Sequence, residues 1–238
     1  MTAREPDDDP TGDAGPAADE TALGTDEAGK GPVLGPMVAA AVRASPASIP
    51  DDVDDSKRLT PAVRTTLAAT LHDSPDVDVA VAAISTDRID DSETDMNSLT
   101  VAAQAEAVAQ IGRDGDRVVA DAGDVSESRF ARRVGDRVAS AGPSVEVHAE
   151  HGADEVYPLV AAASVIAKVE RDDRIDALDD EYADYGPVGS GYPSDPTTRE
   201  FLRRYVEATG ELPDCARASW ATSADVLAAA EQSGLSEF

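Results

Sequence analysis

The chain has 238 residues, with 20 Lys and Arg against 48 Asp and Glu, a formal net charge of −28 and one cysteine. That length suffices for one α/β domain with a core plus additional helices. A single cysteine excludes an internal disulfide framework and fits a reducing cytoplasm, no apolar run nears the roughly 18 residues of a membrane span, and the acidic start is not a signal peptide.

Residues 1–20, rich in Asp, Pro, Gly and Ala, predict a disordered tail. Order begins with a short strand, "ALGTDEA", and a second, "VLGPMVAAAV" (33–42), forming a hairpin across a Gly-Pro-rich link. Thr60-Pro61 caps and opens a helix to about Leu71. "VDVAVAAI" (77–84) reads as a buried strand, and Asn97 or Ser98 caps a helix ending near Gly112. "RVVAD" (117–121) and "VEVHAE" (145–150) are strands flanking a helix capped by Ser126. Pro158 starts a long helix to about Glu181, and helices follow from Asp195-Pro196 and from Thr222 or Ser223. Strand–helix alternation after a hairpin predicts a mixed sheet with helices on its faces.

The acidity has its own logic. The chain holds 3 Lys against 17 Arg and 32 Asp against 16 Glu, with few aromatics, a composition suited to the cytoplasm of an extreme halophile. At about 1 M salt the Debye length is about 3 Å, so self-repulsion is largely screened. The charge therefore does not exclude a nucleic-acid partner, as it would in dilute buffer.

"GTDEAGKGP" (24–32) fits the glycine and lysine frame of a phosphate-binding loop. Gly31-Pro32 stops the helix such a loop needs, and Asp26 and Glu27 repel a triphosphate. Paired acids at a strand end read better as a divalent-metal site. Asp121 ends a later strand, and Asp154 stands between a strand and the Pro158 helix. Carboxylates without a His/Cys cluster favour Mg²⁺ or Mn²⁺; His148 and His151 read as surface or core residues. The retained lysines, Lys30, Lys57 and Lys168, read as phosphate-facing.

In this order, "GTDEAGKGPVLGPMV", "DSKRLT", "MNSLT", "VVADAG", "HGADEVYPLVAAASVIAKVERD", "YGPVGSGYPSDPTT" and "RASW" resemble the ribonuclease HII family, most closely its archaeal and eukaryotic branch, over about residues 21–230. The resemblance implies an RNase H-like fold: a five-stranded mixed sheet flanked by helices (21–185), with a helical C-terminal extension (186–230). It places Asp26, Glu27, Asp121 and Asp154 as the catalytic, metal-holding carboxylates of a two-metal phosphodiester hydrolase. Consecutive strand residues point to opposite faces, so sharing a site requires the first strand to end or twist at Asp26 and Glu27, as Gly29 and Gly31 permit. Gly29, Lys30, Gly31 and Tyr192 take the places that read the ribose 2′-hydroxyl, while Lys57, Lys168 and Arg171 meet phosphates. Asn97 is either a further substrate contact or a helix cap. The family pattern differs at Lys30, usually Arg, at Gly152, usually basic, and at Thr25, usually apolar.

The implied activity is cleavage of RNA in RNA–DNA hybrids and 5′ of ribonucleotides in duplex DNA, leaving 3′-hydroxyl and 5′-phosphate ends, by a cytoplasmic monomer clearing ribonucleotides and primers. Gln232, Leu235 and Phe238 in the 231–238 tail resemble a sliding-clamp-binding peptide. A catalytically silent hybrid-binding module tethered to the clamp is the alternative.

Overall fold

The computed structural model describes residues 15–55 and 59–235. Its sheet has the strand order β3-β2-β1-β4-β5, where β1 is Ala22–Ala28, β2 Met37–Ala44, β3 Asp78–Ile84, β4 Arg117–Asp121 and β5 Glu146–Glu150. β1, β2 and β3 pair antiparallel, whereas β4 joins β1, and β5 joins β4, in parallel. The helices are α1 (Pro61–Asp73), a short α2 (Thr86–Ile89), α3 (Met96–Ile111), α4 (Glu127–Ala141), α5 (Pro158–Glu181), α6 (Pro196–Thr209) and α7 (Ala221–Leu235).

The period-2 alternation of β1 and β2 splits the core between two faces. Ala22, Ala40 and Val42 pack with α1 and α5, while Leu23 and Ala41 pack with α3 and α4. Gly24 lets the helix and sheet approach. A Cβ there would collide with the Leu159 carbonyl and the Val160 amide in the first turn of α5. Its place in the phosphate-loop frame is thus explained by packing. Thr25 is fully buried, and its hydroxyl donates to the Ala40 carbonyl at 2.8 Å.

Several boundaries depart from the sequence expectation. The second strand starts at Met37, because Val33 and Leu34 instead donate to the Gly191 carbonyl at 2.8 and 3.1 Å and Pro36 has no amide for a ladder. β3 is an edge strand with alternating burial. The cap of α3 is Asp95, which accepts from the Ser98 amide at 3.0 Å, while Asn97 is exposed in the first turn. α7 starts at Ala221, one residue before the expected cap. Of the expected disordered tail, residues 15–20 lie against the domain: the Ala47 amide donates to the Ala18 carbonyl at 3.0 Å. Residues 1–14 lie outside the described residues. The C-terminal segment shares a core with the β1–β2 link, through Val33, Leu34, Ile175, Val188, Phe201 and Leu202. No helix among the described residues is long and apolar enough to cross a membrane.

Candidate active site

The ends of the parallel strands β1 and β4 form one rim of the sheet. The register pairs Thr25 with Ala120, so Asp26 and Asp121 come next on neighbouring strands. β1 runs regularly to Ala28; it neither ends nor turns at the acidic pair. Asp26 faces α5, where Ser164 hydrogen-bonds to it, and Glu27 faces α3, where Gln104 Nε2 donates to Glu27 Oε2 at 2.6 Å. The acids therefore straddle the sheet at its rim. Asp26 Oδ1 also accepts from the Glu27 amide at 2.7 Å.

Asp121 Oδ1 accepts from the Ala153 amide at 2.9 Å. That bond ties the end of β4 to the turn Ala153–Glu155, which carries Asp154. Gly152 enters the turn at φ 69° with open space around it, giving the chain the left-handed residue it needs there. Asp26 and Asp154 are each only 6% exposed.

At Asp26 burial makes ionisation costly. Asp26 is pushed well above the usual carboxylate range by desolvation, then by the charges of Glu27 and Asp121. Glu27 is also pushed up, chiefly by desolvation, although Lys30 and Gln104 offset part of it. Lys30 Nζ lies 3.5 Å from Glu27 Oε1 and donates to the Gly123 carbonyl at 3.2 Å. It thus bridges the loop after β1 and the loop after β4. Among the described residues no three His, Cys, Asp or Glu side chains stand at mutual metal-ligating spacing. The donor set is nonetheless all hard oxygen, and its mutual repulsion is what a divalent cation relieves.

The substrate-facing expectations are placed as follows. Lys168 Nζ donates to Ser164 Oγ at 2.7 Å, continuing the chain of contacts that reaches Asp26. Tyr192 is 40% exposed, and a Cβ on Gly31 would lie 3.8 Å from its ring. Arg171 is 5% exposed and turned inward: Nη2 donates to the Ser190 carbonyl at 2.6 Å, and the guanidinium lies 5.0 Å from the Tyr192 ring centroid. Lys57 lies outside the described residues. At the far end, Gln232 is exposed on α7, which ends at Leu235, and Phe238 lies outside the described residues.

Sequence reasoning missed Gln104, Ser164 and Arg217. Gln104 is fully buried, with Nε2 shared between Glu27 and the Asp121 carbonyl, the latter at 3.0 Å. Its signal was a polar residue among buried alanines and valines on α3. His151 joins the loops flanking the site, with Nδ1 2.7 Å from Glu127 Oε1 and Nε2 2.7 Å from the Asp124 carbonyl. A groove of about 650 Å³ between α4 and β5 lies away from these acids.

The ribonuclease HII family profile matches residues 23–223. A ribonuclease HII of Halobacterium salinarum is 59% identical over 216 residues, covering 91% of this chain and 99% of that protein. The crystal structure of ribonuclease H2 from Pyrococcus horikoshii superposes with a TM-score of 0.79 at 34% identity, covering 90% of this chain and all of that one. The Archaeoglobus fulgidus ribonuclease HII, solved as a complex with PCNA, gives a TM-score of 0.72 at 36% identity over 84% of this chain and 95% of that one. With this fold and this sequence likeness along nearly its whole length, the chain belongs to the ribonuclease HII family of RNase H-like nucleases.

Proposed function

We propose that the protein is a metal-dependent endonuclease that cuts RNA in RNA–DNA hybrids and 5′ of ribonucleotides embedded in duplex DNA, leaving 3′-hydroxyl and 5′-phosphate ends. The observation that carries this reading is the mutually repelling set of Asp26, Glu27 and half-buried Asp121 at the rim formed by β1 and β4, with the Asp26 and Glu27 carboxylates buried. Asp26, Glu27, Asp121 and Asp154 would hold two divalent cations, Mg²⁺ or Mn²⁺. When bound, such a pair supplies an activated water and stabilises the leaving 3′-oxygen.

The protein's own contribution is positioning. Gln104, Ser164 and the Ala153 amide orient Glu27, Asp26 and Asp121. Lys30 and Lys168 bring ammonium groups to an otherwise acidic rim, where a phosphate backbone needs them. Gly29, Lys30, Gly31 and Tyr192 read the ribose 2′-hydroxyl, the group that separates RNA from DNA. Arg171 supports Tyr192 from beneath. Residues 232–238 contact a sliding clamp. Their spacing of Gln, Leu and Phe supports this, as does the PCNA complex of the Archaeoglobus relative. Deleting them should abolish clamp binding without altering cleavage of a short duplex.

The test is an end-labelled DNA duplex with one ribonucleotide, incubated in molar KCl with Mg²⁺ or Mn²⁺ and, separately, EDTA. A cation-dependent cut 5′ of the ribonucleotide is expected. Folded protein that cuts neither this duplex nor a long hybrid would support the silent tethering module instead.

A further inference from the structure

Arg217 is the bulkiest of the fully buried side chains among the described residues, yet it has no carboxylate within ion-pair distance there. Its guanidinium is spent on backbone. Nη2 donates to the Gly29 carbonyl at 2.6 Å, Nη1 to the Lys30 carbonyl at 3.0 Å and Nε to the Gly35 carbonyl at 3.0 Å. It also lies 5.0 Å from the ring centroid of Trp220, whose Nε1 donates to the Gly31 carbonyl at 3.3 Å. Three successive carbonyls of the Gly29–Gly31 loop are thus drawn toward one short C-terminal segment.

A trans peptide sets its C=O and N–H on opposite sides, and the described chain has no cis peptide. With the Gly29 and Lys30 carbonyls held inward on Arg217, the amides of Lys30 and Gly31 face away from it. Neither amide makes a backbone hydrogen bond among the described residues. Tyr192 stands beside Gly31, and its loop is fastened to the same stretch by the Val33 and Leu34 amides on the Gly191 carbonyl. Burial and the charge of nearby Arg171 pull the Arg217 pKa down to about 10, so it is still a cation at neutral pH. An uncompensated buried charge is a poor way to gain stability. Its geometric effect on the loop is specific.

We propose that Arg217 is a positioning residue that aims the Lys30 and Gly31 amides at the substrate's ribonucleotide and so sets ribonucleotide recognition from the C-terminal extension. The assignment rests on the ribonuclease reading above. A guanidinium fork can hold three carbonyls at once, whereas a lysine ammonium in its place cannot reach all three in the same geometry.

The experiment compares the full chain with Arg217→Gln and Arg217→Lys in molar KCl. It measures kcat and KM on a single-ribonucleotide duplex and on a continuous RNA–DNA hybrid, together with the Tm shift produced by Mn²⁺. Folded Arg217→Gln should keep the wild-type Mn²⁺ shift. It should lose about 100-fold in kcat/KM on the single-ribonucleotide duplex, the scale of an ångström-level misplacement. The hybrid, which offers many registers, should suffer less, and Arg217→Lys should fall between. If Arg217→Gln does not fold, Arg217→Lys carries the same comparison. A folded variant that keeps the wild-type ratio of the two substrates, or loses both equally, overturns the assignment while leaving the ribonuclease reading intact. Wild-type protein that cuts neither substrate overturns both.

Discussion

Asp26 and Glu27 leave β1 on opposite faces, yet each is raised by burial and by the charge of Asp121. A carboxyl whose folded-state pKa lies above its unfolded value of about 4 weakens the fold when ionised. The metal-free protein should therefore lose stability as pH rises through the raised pKa of Asp26 and regain it as pH falls. Asp26→Asn should abolish cleavage but raise the Tm in EDTA at neutral pH and flatten its pH dependence; thermal melts across pH in EDTA check this. Gln104→Leu should cost about 1–3 kcal/mol, because it strips both the Glu27 carboxylate and the Asp121 carbonyl of their shared donor. It should also lower kcat more than it raises KM, since Glu27 loses its orientation. Asp26, Glu27 and Asp121, which the fold gathers at one rim, stood out in the sequence because their blocks are long and specific. Gln104 and Arg217 did not, since their partners are brought to them only by the tertiary fold.

At the scale of elements, the crossing of α5 over β1 fixes how Asp26 meets Ser164. Gly24→Ala should break that crossing, giving insoluble protein or a loss of about 1–3 kcal/mol, as overpacking does. The loop bearing Tyr192 depends on Asp195, which caps α6. The amide and hydroxyl of Ser190 and the amide of Thr197 hold the Asp195 carboxyl down at about 2. Its folded value lies below its unfolded one, so its stabilisation is present above about pH 4 and is lost as pH falls toward 2. Asp195→Ala should remove that acid-sensitive component and loosen the loop, read by denaturant melts at pH 3 to 7. Strand and helix order followed from hydrophobic period and caps, whereas the start of β2 did not. Val33 and Leu34 look like strand residues, but their partner is Gly191, far away in sequence.

Across the whole molecule, a net charge of −28 means the fold works against its own field. Between about 0.1 M and about 1 M KCl the Debye length shrinks from about 10 to about 3 Å. The Tm should rise steeply over that range. The expectation rests on composition alone, and the same screening would let an acidic chain approach a polyanion. At the carboxylate rim, screening by added salt should not replace a specific divalent ion, because Asp26 is buried and little screened. The most direct test of the account is therefore the number of Mn²⁺ ions bound in molar KCl in the presence of a non-cleavable hybrid, by calorimetry or electron paramagnetic resonance. Two ions on the wild-type protein, with binding lost or cut to a single weak ion in Asp26→Asn and Asp121→Asn, is the predicted result. No specific Mn²⁺ binding, or binding unchanged in both variants, would contradict it.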